Sequence, residues 1–401
     1  MRILFLSGWY PYPPDNGAKI RIFNLIKQLA REHQVTLLSF ASGSVGEDRI
    51  AEMETYCEAV HIVPYVEFAP KRLRALLGFF SSRPRSIVDT YNPAMAAMVR
   101  EVSSRSSFDL VLASELRTAP YALLVENTPH LFEEVELTFL WEQFSQQNSL
   151  VRKLRYGLTW YKTKRFMAQF LRGFDACTVV SEGERMLVKG FAPSQCVIGV
   201  VPNGVDLASY AGDFGSPKPG TLIYPGALTY DANLDAMRYF LHQIFPLVRA
   251  QHPGVRLSIT GRYDGVPVEQ LPLGENIDLT GYIPDIRPAI AESWACIVPL
   301  RVGGGTRLKI LEALALGTPV VSTRKGVEGL ELTADEDILI ADEPQEFAQA
   351  LIRLLEDSAL RERLSKNGQR AVREHYGWDD IGVKFGEMLS EVVRHVGRGG
   401  A

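Results

Sequence analysis

The chain of 401 residues alternates short apolar runs with longer amphipathic runs, and the alternation starts again near its middle. Apolar runs such as 2–7 and 34–40 fit buried strands, and the amphipathic run 17–32 fits a helix packed on them. Repeats of this kind build a parallel sheet covered by helices, the α/β class. We predict further strands of the first half at 59–63, 109–114, 130–135, 176–180 and 197–201.

The second half repeats this pattern after a Gly/Pro-rich stretch at 212–220, which is typical of a linker. One hydrophobic core stops growing at about 250–300 residues, so a chain of this length favours two domains. We expect one domain over 1–205, joined by the C-terminal helix 379–401, and a second over 206–378. Elements predicted for the second half are strands at 221–224, 256–260, 295–299 and 319–322 and helices at 232–250 and 306–316.

Composition narrows the class of protein further. Apolar residues make up 46% and charged residues 22% of the chain, and the formal net charge is -4. These values fit an ordinary globular protein and argue against a nucleic-acid binder. The cysteines stand apart among apolar neighbours, which indicates buried thiols in a reducing compartment. No run of 18 or more apolar residues occurs and the N-terminal apolar run is too short for a signal peptide, so we expect a cytoplasmic protein.

The loop after the first strand shows whether the chain carries the dinucleotide-binding motif that is common in such sheets. A dinucleotide-binding domain would carry G-x-G-x-x-G there. Residues 8–17 read Gly-Trp-Tyr-Pro-Tyr-Pro-Pro-Asp-Asn-Gly and lack that pattern. A nicotinamide-dependent oxidoreductase is therefore disfavoured.

The most informative segment is the glycine run 303–305, which follows a predicted strand and opens a predicted helix. Successive backbone N–H groups of such a loop can surround an anion, and the helix N-terminus adds partial positive charge, so a diphosphate is the expected guest. Lys309 and Glu312 share one face of that helix, where a cation and a ribose-binding carboxylate would hold a nucleotide. The alternative is a flexible turn followed by a solvated Lys–Glu pair.

Four segments in this order carry a family resemblance, namely 14–17, 201–206, 226–233 and 303–321. With them the chain resembles the retaining glycosyltransferases of family four. The resemblance implies the GT-B fold, in which two Rossmann-like domains face each other across a cleft. It also implies a nucleotide-diphosphate sugar as donor, held mainly by the second domain, an acceptor held by the first, and no metal or other cofactor.

The family signature places one Glu eight positions before another. Glu312 matches the second, which contacts the donor ribose in the family, whereas Gly304 stands at the first. The missing carboxylate leaves the donor sugar, and retention or inversion at its anomeric carbon, open. The resemblance further implies that the other donor-side positions bind diphosphate and sugar and that two positions of the first part of the chain face the cleft. These are Gly305, Thr306, Arg307 and Leu308 on the donor side, and Gly17 and Asn203.

A second departure concerns the leaving diphosphate. Members of the family often carry Arg and Lys in the loop at 226–230, and this chain has neither there. Charge on the departing phosphate must still be stabilised. We predict that Lys309 supplies it, with Arg307 or Arg262 as second choices; a merely solvated lysine is the competing interpretation.

Acidic residues end the predicted strand at 130–135. Glu133 or Glu134 stands near the position where relatives often have a His close to the sugar, and Glu136 follows. A carboxylate there could orient the acceptor or stabilise an oxocarbenium-like state, so Glu133 is a candidate catalytic residue. Acidic residues also favour the first turn of a helix, and capping of the next helix is the alternative.

Two segments combine basic and apolar residues. Residues 71–80 are one, and the other lies in a long helical region predicted at 137–172 with a break near Gly157; no acidic residue occurs from 143 to 174. Such segments can bind anionic membranes, or they can be helices packed on the domain with a basic solvent face. The first interpretation predicts a peripheral protein at the inner face of the membrane.

The sequence therefore predicts a glycosyltransferase of polysaccharide, glycolipid or other glycoconjugate assembly. Its acceptor would be a sugar, a lipid-linked sugar or a small molecule, and no nucleic acid is expected. A sugar-nucleotide epimerase of the same fold and a non-catalytic nucleotide-sugar sensor are the alternatives. The base and sugar of the donor, the acceptor and the oligomeric state are not determined by the sequence.

Overall fold

The computed structural model describes residues 1–81, 83–133, 137, 141, 144–145, 149–305 and 307–399. It divides into two compact units. Unit 1 contains Met1–Pro202 and Ile381–Ala401, and unit 2 contains Asn203–Asp380. Three residues named above, Thr306, Glu134 and Glu136, lie outside the described residues.

Unit 1 is built on a parallel sheet of seven strands in its described part, in the order β3-β2-β1-β4-β5-β6-β7. Apolar side chains of β1 and β4 are fully buried, as expected for central strands covered on both faces. The strands are β1 (Arg2–Ser7), β2 (Gln34–Ala41), β3 (Ala59–Pro64), β4 (Leu110–Ser114), β5 (His130–Glu133), β6 (Ala176–Val179) and β7 (Val197–Val200).

Helices connect these strands and cover the sheet. Two of them begin at an Asn that accepts a hydrogen bond from the backbone of the first turn, Asn16 from Lys19 N and Asn92 from Ala94 N, which is the usual way to satisfy a helix start. The helices are α1 (Gly17–Leu29), α2 (Glu47–Glu54), α3 (Leu73–Leu77), α4 (Arg85–Thr90), α5 (Pro93–Arg105), α6 (Ala119–Ala122), α7 (Leu150–Phe170) and α8 (Glu182–Lys189).

Unit 2 has its own parallel sheet, of six strands within the described residues, in the order β10-β9-β8-β11-β12-β13. Its core is separate from that of unit 1 and includes the fully buried Tyr224, Phe240 and Phe347. The strands are β8 (Lys218–Pro225), β9 (Arg256–Thr260), β10 (Ile277–Gly281), β11 (Ser293–Val298), β12 (Val320–Ser322) and β13 (Leu339–Ile340).

The helices of unit 2 include one short π-helical stretch, Phe240–Ile244, between two α-helices. The last helix, α15, begins in unit 2 and continues into unit 1. The α-helices are α9 (Asp231–Tyr239), α10 (Phe245–Gln251), α11 (Arg287–Ala291), α12 (Leu308–Ala315), α13 (Pro344–Glu356), α14 (Ser358–His375) and α15 (Trp378–Gly399).

In each sheet the chain adds strands first toward one edge and then toward the other, and the switch lies between β1 and β4 in unit 1 and between β8 and β11 in unit 2. This is the doubly wound Rossmann-like arrangement, so the predicted fold class is confirmed. In such sheets ligands bind beyond the carboxyl ends of the strands at the reversal point. The loops after β1, β4, β8 and β11 are therefore the first places to look for a site.

Two details differ from the sequence prediction. Helix α7 runs without a break through Gly157, where an added Cβ would lie 2.9 Å from Cε2 of Phe144. This glycine serves close packing rather than a bend. The expected linker at 212–220 lies inside unit 2, and its last residues, Lys218–Gly220, already belong to β8.

Candidate functional site

The loop between β11 and α12 carries the glycine run. Gly303 and Gly305 have φ values of 107° and 79°, a conformation that side chains with a Cβ rarely adopt. A Cβ at Gly303 would also lie 3.1 Å from Cβ of Ala232 at the start of α9. The glycines are thus required by backbone geometry and close packing, and Gly304 and Gly305 retain exposed surface beside the first turn of α12.

Arg307 is buried beneath this loop. Its guanidinium donates hydrogen bonds to the carbonyl oxygens of Gly303, at 2.8 Å, of Gly305, at 2.6 Å, and of Gly304. These bonds hold the loop in its turn. They also direct the guanidinium inward, so the structure does not favour Arg307 as the alternative cation for the leaving group.

Lys309 lies in the first turn of α12 and reaches the end of β8. Its Nζ donates to Oδ1 of Asn233 at 3.1 Å and lies 4.1 Å from the ring centroid of Tyr224. Lys309 is partly buried, and this burial lowers its pKa from 10.5 to about 7. The side chain is therefore not the freely solvated lysine of the competing interpretation.

Asn233 orients this ammonium group, a role that the sequence analysis missed. Its Nδ2 donates to the backbone oxygen of Ala227 at 2.8 Å, which turns its Oδ1 toward Tyr224 and Lys309. The hydroxyl of Tyr224 donates to the same Oδ1 at 2.7 Å. The available signal was the place of Asn233 in the segment 226–233, but only the fold brings that segment to α12.

Glu312 follows one turn after Lys309. Its Oε1 accepts a hydrogen bond from the hydroxyl of Tyr210 at 3.0 Å. Burial raises the pKa of Glu312, although the Tyr210 hydrogen bond and the positive charge of Lys309 act in the opposite direction. Tyr210 was not predicted as a site residue, and it holds one carboxylate oxygen in place.

Gly226, directly after β8, leaves the room that the ammonium of Lys309 occupies. An added Cβ would lie 2.5 Å from Nζ of Lys309 and 3.0 Å from Nδ2 of Asn233. We expect Gly226→Ala to displace the flexible lysine end, to keep the fold, and to lower turnover roughly tenfold to a hundredfold, since small misplacements of a catalytic group have effects of that size.

The measurement is steady-state turnover together with the melting temperature. Gly254→Ala is the matched control, because an added Cβ there meets no atom within 4 Å. Equal turnover of the two variants would show that the position of the ammonium does not matter.

The remaining candidates of unit 2 are less closely grouped. Arg262 follows β9, is exposed, and lies over the ring of Tyr282 at 5.5 Å. Leu308 is the first residue of α12. Asn203 is buried at the first position of unit 2. The structure therefore brings Lys309, Glu312 and the glycine run together at the reversal point.

In unit 1, Glu133 ends β5 and is fully buried. Its Oε1 accepts from Nε of Arg21 at 2.6 Å, and its Oε2 accepts from the hydroxyl of Ser114 at 2.7 Å. Arg21 is also fully buried and donates from Nη1 to the backbone oxygen of Pro202 at 3.2 Å. Because both carboxylate oxygens are held in the interior, these contacts favour a structural role for Glu133 over the catalytic one suggested by the sequence.

Gly17, the other candidate of unit 1, is the exposed first residue of α1.

A cluster of side chains that was not predicted from the sequence lies in the loops after β1, β3 and β4. The guanidinium of Arg117 is at its centre, 4.9 Å from the ring centroids of both Trp9 and Tyr65. Its Nε lies 3.5 Å from Oε2 of Glu115. Nη1 of Arg117 is buried and has no hydrogen-bond partner among the described residues, and Glu115 has a φ of 71°, which is rare for a residue other than glycine.

Two further observations concern the described ranges as a whole. They contain no group of three or more His, Cys, Asp or Glu side chains placed to hold a metal ion. None of their helices combines the length and the hydropathy that crossing a membrane requires.

Two family models match this chain in succession. The model described as Glycosyltransferase Family 4 matches residues 15–209, and that described as Glycosyl transferases group 1 matches residues 219–357. The first covers most of unit 1 and the second most of unit 2, including the loop and helix that carry Lys309 and Glu312.

The sequence is also similar to those of individual bacterial proteins. An uncharacterized 44.6 kDa protein in cps region of Klebsiella pneumoniae is 21% identical over 392 residues, which are 94% of this chain and 96% of the relative. The phosphatidyl-myo-inositol mannosyltransferase of Mycobacterium tuberculosis is 31% identical over 210 residues, which are 48% of this chain and 54% of the relative.

Solved structures show the same fold. Sucrose-phosphate synthase of Thermosynechococcus elongatus superposes with a TM-score of 0.69 at 17% identity, over 98% of this chain and 100% of the other. HepE of Anabaena, solved in complex with UDP and glucose, superposes with a TM-score of 0.64 at 17% identity, over 98% and 100%. The chain thus belongs to the glycosyl transferases of group 1 and family 4, and it is a glycosyltransferase with the GT-B fold.

Proposed function

We propose that unit 2 binds a nucleotide-diphosphate sugar and that the enzyme transfers its sugar to an acceptor bound by unit 1. The observation that carries the proposal is the partly buried ammonium of Lys309, fixed by Asn233 beside the glycine run at the reversal point of the sheet. A diphosphate bound there would meet this ammonium, the backbone N–H groups of the loop and the start of α12. All three favour negative charge.

Each group has a distinct part in the proposed reaction. The carboxylate of Glu312, held by Tyr210 through one oxygen, is available to accept hydrogen bonds from ribose hydroxyls through the other. Lys309 interacts most strongly when the bond to the sugar breaks, because the leaving diphosphate then gains charge. Bound anionic phosphate also favours the protonated lysine, which counteracts the effect of burial on its pKa.

We propose that transfer proceeds with retention of configuration and without a metal ion. Lys309 and the helix start supply the positive charge that a metal would otherwise provide to the diphosphate. The transfer assay is therefore run with a chelator present. A strict requirement for magnesium or manganese, or an inverted anomer in the product spectrum, would contradict these two points.

For the acceptor we propose a sugar, lipid-linked sugar or small molecule bound after β1 and β4. The aromatic rings of Trp9 and Tyr65 and the partly exposed side chain of Arg117 support this choice, since a sugar ring stacks on aromatic faces and a guanidinium donates to hydroxyl or anionic oxygens. The similarity to a phosphatidyl-myo-inositol mannosyltransferase supports a part in glycolipid or polysaccharide assembly, and we propose action in the cytoplasm at the inner face of the membrane.

The donor site is tested by the affinity for UDP, the nucleotide present in the HepE structure. We expect Glu312→Gln to weaken UDP binding by roughly tenfold to a hundredfold, because losing a charge-assisted hydrogen bond costs about 1.5–3 kcal/mol. Titration calorimetry of both proteins gives the comparison; GDP is titrated in parallel, since the base remains open.

The pH dependence of UDP affinity is the control for the role of the Glu312 carboxylate. The pKa of Glu312 is raised, so its carboxylate is lost at a higher pH than for an ordinary glutamate as the solution is acidified. UDP affinity of the parent protein should therefore weaken on acidification, and that of Glu312→Gln should lack this component. Identical affinities and pH profiles would remove Glu312 from the nucleotide site.

A further inference from the structure

Unit 1 presents an apolar stripe along helix α7. Val151, Leu154, Leu158 and Tyr161 are spaced three, four and three residues apart, so they share one face of the helix. Their exposed fractions are 78%, 68%, 57% and 59%. The opposite face carries Trp160, Phe166 and Met167 into the core, so α7 has one packed apolar face and one that no described residue covers.

A second group of exposed apolar side chains lies on the segment 71–80. Leu73, Leu76, Leu77 and Phe79 are exposed, and Phe80 is 92% exposed. Nζ of Lys162 in α7 donates to the backbone oxygen of Phe79 at 3.2 Å. This hydrogen bond joins the two segments into one surface, which we call the α3–α7 surface.

The segment 71–80 is held in its conformation rather than free to bury its leucines. Arg85 donates to the backbone oxygens of Ala75, at 2.8 Å, and Pro70, at 2.7 Å, and its guanidinium lies 3.8 Å from the ring centroid of Phe79. The buried Asp89 accepts from the backbone N–H of Ala69 and from Arg72. These contacts fix an arrangement in which large apolar groups point to solvent.

The charge of the α3–α7 surface identifies its partner. No acidic residue occurs in 69–88 or in 143–174. The exposed basic residues of α7 are Arg152, Lys153, Arg155, Lys164 and Arg165, and by helical spacing Arg155, Lys164 and Arg165 are the ones beside or within the stripe. A second copy of the chain would place these positive charges against themselves, which costs free energy. An anionic lipid surface instead offers apolar chains to the stripe and negative headgroups to the basic residues.

We propose that the α3–α7 surface docks the enzyme on anionic phospholipid, with the stripe inserted at the headgroup boundary and the basic residues on the headgroups. The inference extends the proposed action at the membrane by assigning it to named residues. It places the acceptor-binding unit, rather than the donor-binding unit, against the lipid.

The test uses the full chain in flotation with vesicles of phosphatidylcholine, with or without phosphatidylglycerol. We expect binding to the anionic vesicles alone and a decline with added salt, because exposed charges are screened within about 8 Å at physiological ionic strength. Arg155→Gln, Lys164→Gln and Arg165→Gln together should lower partitioning on the order of a hundredfold, since each basic residue near the surface contributes about 1 kcal/mol.

The stripe is tested by Val151→Ser, Leu154→Ser and Leu158→Ser combined, which should lower partitioning at least about tenfold, because buried apolar area adds to the electrostatic attraction. The matched control is Met186→Ser with Val383→Ser, two exposed apolar residues of unit 1 outside this surface. For charge, the control is Arg105→Gln, Arg324→Gln and Lys366→Gln, which are exposed elsewhere. Controls that bind like the parent protein support the proposal.

Three results would overturn it: equal binding to neutral and anionic vesicles, no binding to either, or a stripe variant that floats like the parent. The oligomeric state of each protein is measured by light scattering alongside. If the parent protein is a dimer, the stripe variant is a monomer and neither binds vesicles, the surface serves self-association instead. UDP affinity is measured for every variant. A parent protein that binds neither UDP nor GDP would contradict the proposed donor site while leaving the vesicle result intact, so the two failures can be distinguished.

Discussion

Replacing Lys309 by Met should lower turnover by about a hundredfold or more. The substitution keeps much of the side-chain length and removes the cationic group that Asn233 holds between β8 and α12. Loss of one preorganised electrostatic contact in a transition state has an effect of this size. UDP-sugar binding should change less than turnover, because the charge on the diphosphate grows as the bond breaks.

The pH profile makes this prediction specific to the ammonium. With a pKa of about 7, Lys309 of the free enzyme loses its proton as the pH rises through neutrality. The value of kcat/KM, which reports the free enzyme, should therefore fall above that pH in the parent protein. Lys309→Met should lack this limb, since nothing titrates at that position.

Asn233→Leu provides a graded comparison. It keeps the lysine and removes the oxygen that holds its Nζ and the hydroxyl of Tyr224. We expect an intermediate loss of turnover with the alkaline limb still present. If Lys309→Met turned over like the parent protein, the required charge would come from another residue, and Arg262 would be tested next.

Replacing Arg21 by Met should destabilise unit 1 by about 3–5 kcal/mol. Both Arg21 and Glu133 are fully buried, and removing one partner leaves the other charge uncompensated in the interior. Hydrogen exchange read by mass spectrometry resolves the two units separately. Protection of amides in β1, β4 and β5 should fall roughly a hundredfold to several thousandfold, and that of β8, β9 and β11 should stay unchanged.

The double variant Arg21→Met, Glu133→Gln is the control, since it removes both charges and should regain much of the protection. Glu133→Gln alone also decides between the two roles of this residue. A structural carboxylate predicts that activity and protection of unit 1 fall together. Lost turnover in a protein with unchanged protection would restore Glu133 as a catalytic residue.

Much of the architecture could be predicted because it depends on local patterns. Parallel strands buried on both faces are continuous apolar runs, so β1, β2, β6 and β9 were recognisable within one or two residues. The two-residue strand β13 and the interruption of the helix at Phe240–Ile244 carry no such pattern. Gly157 was interpreted as a break because its packing against Phe144 depends on a residue outside the helix.

For the site, the sequence determined which chemical groups were available, and tertiary structure decided how they are used. The glycine run, Lys309 and Glu312 were recognisable because they lie within one turn of a helix and its preceding loop. Asn233, Gly226 and Tyr210 were not, since they reach that helix from other elements. The sequence made Glu133 a candidate catalytic residue and Arg307 a second choice for the leaving-group cation, but folding buries Glu133 against Arg21 and turns Arg307 onto loop carbonyls. Charge and residue type are local properties, whereas burial and hydrogen-bond partners depend on residues distant in the chain, and these decide whether a charged group can meet a substrate.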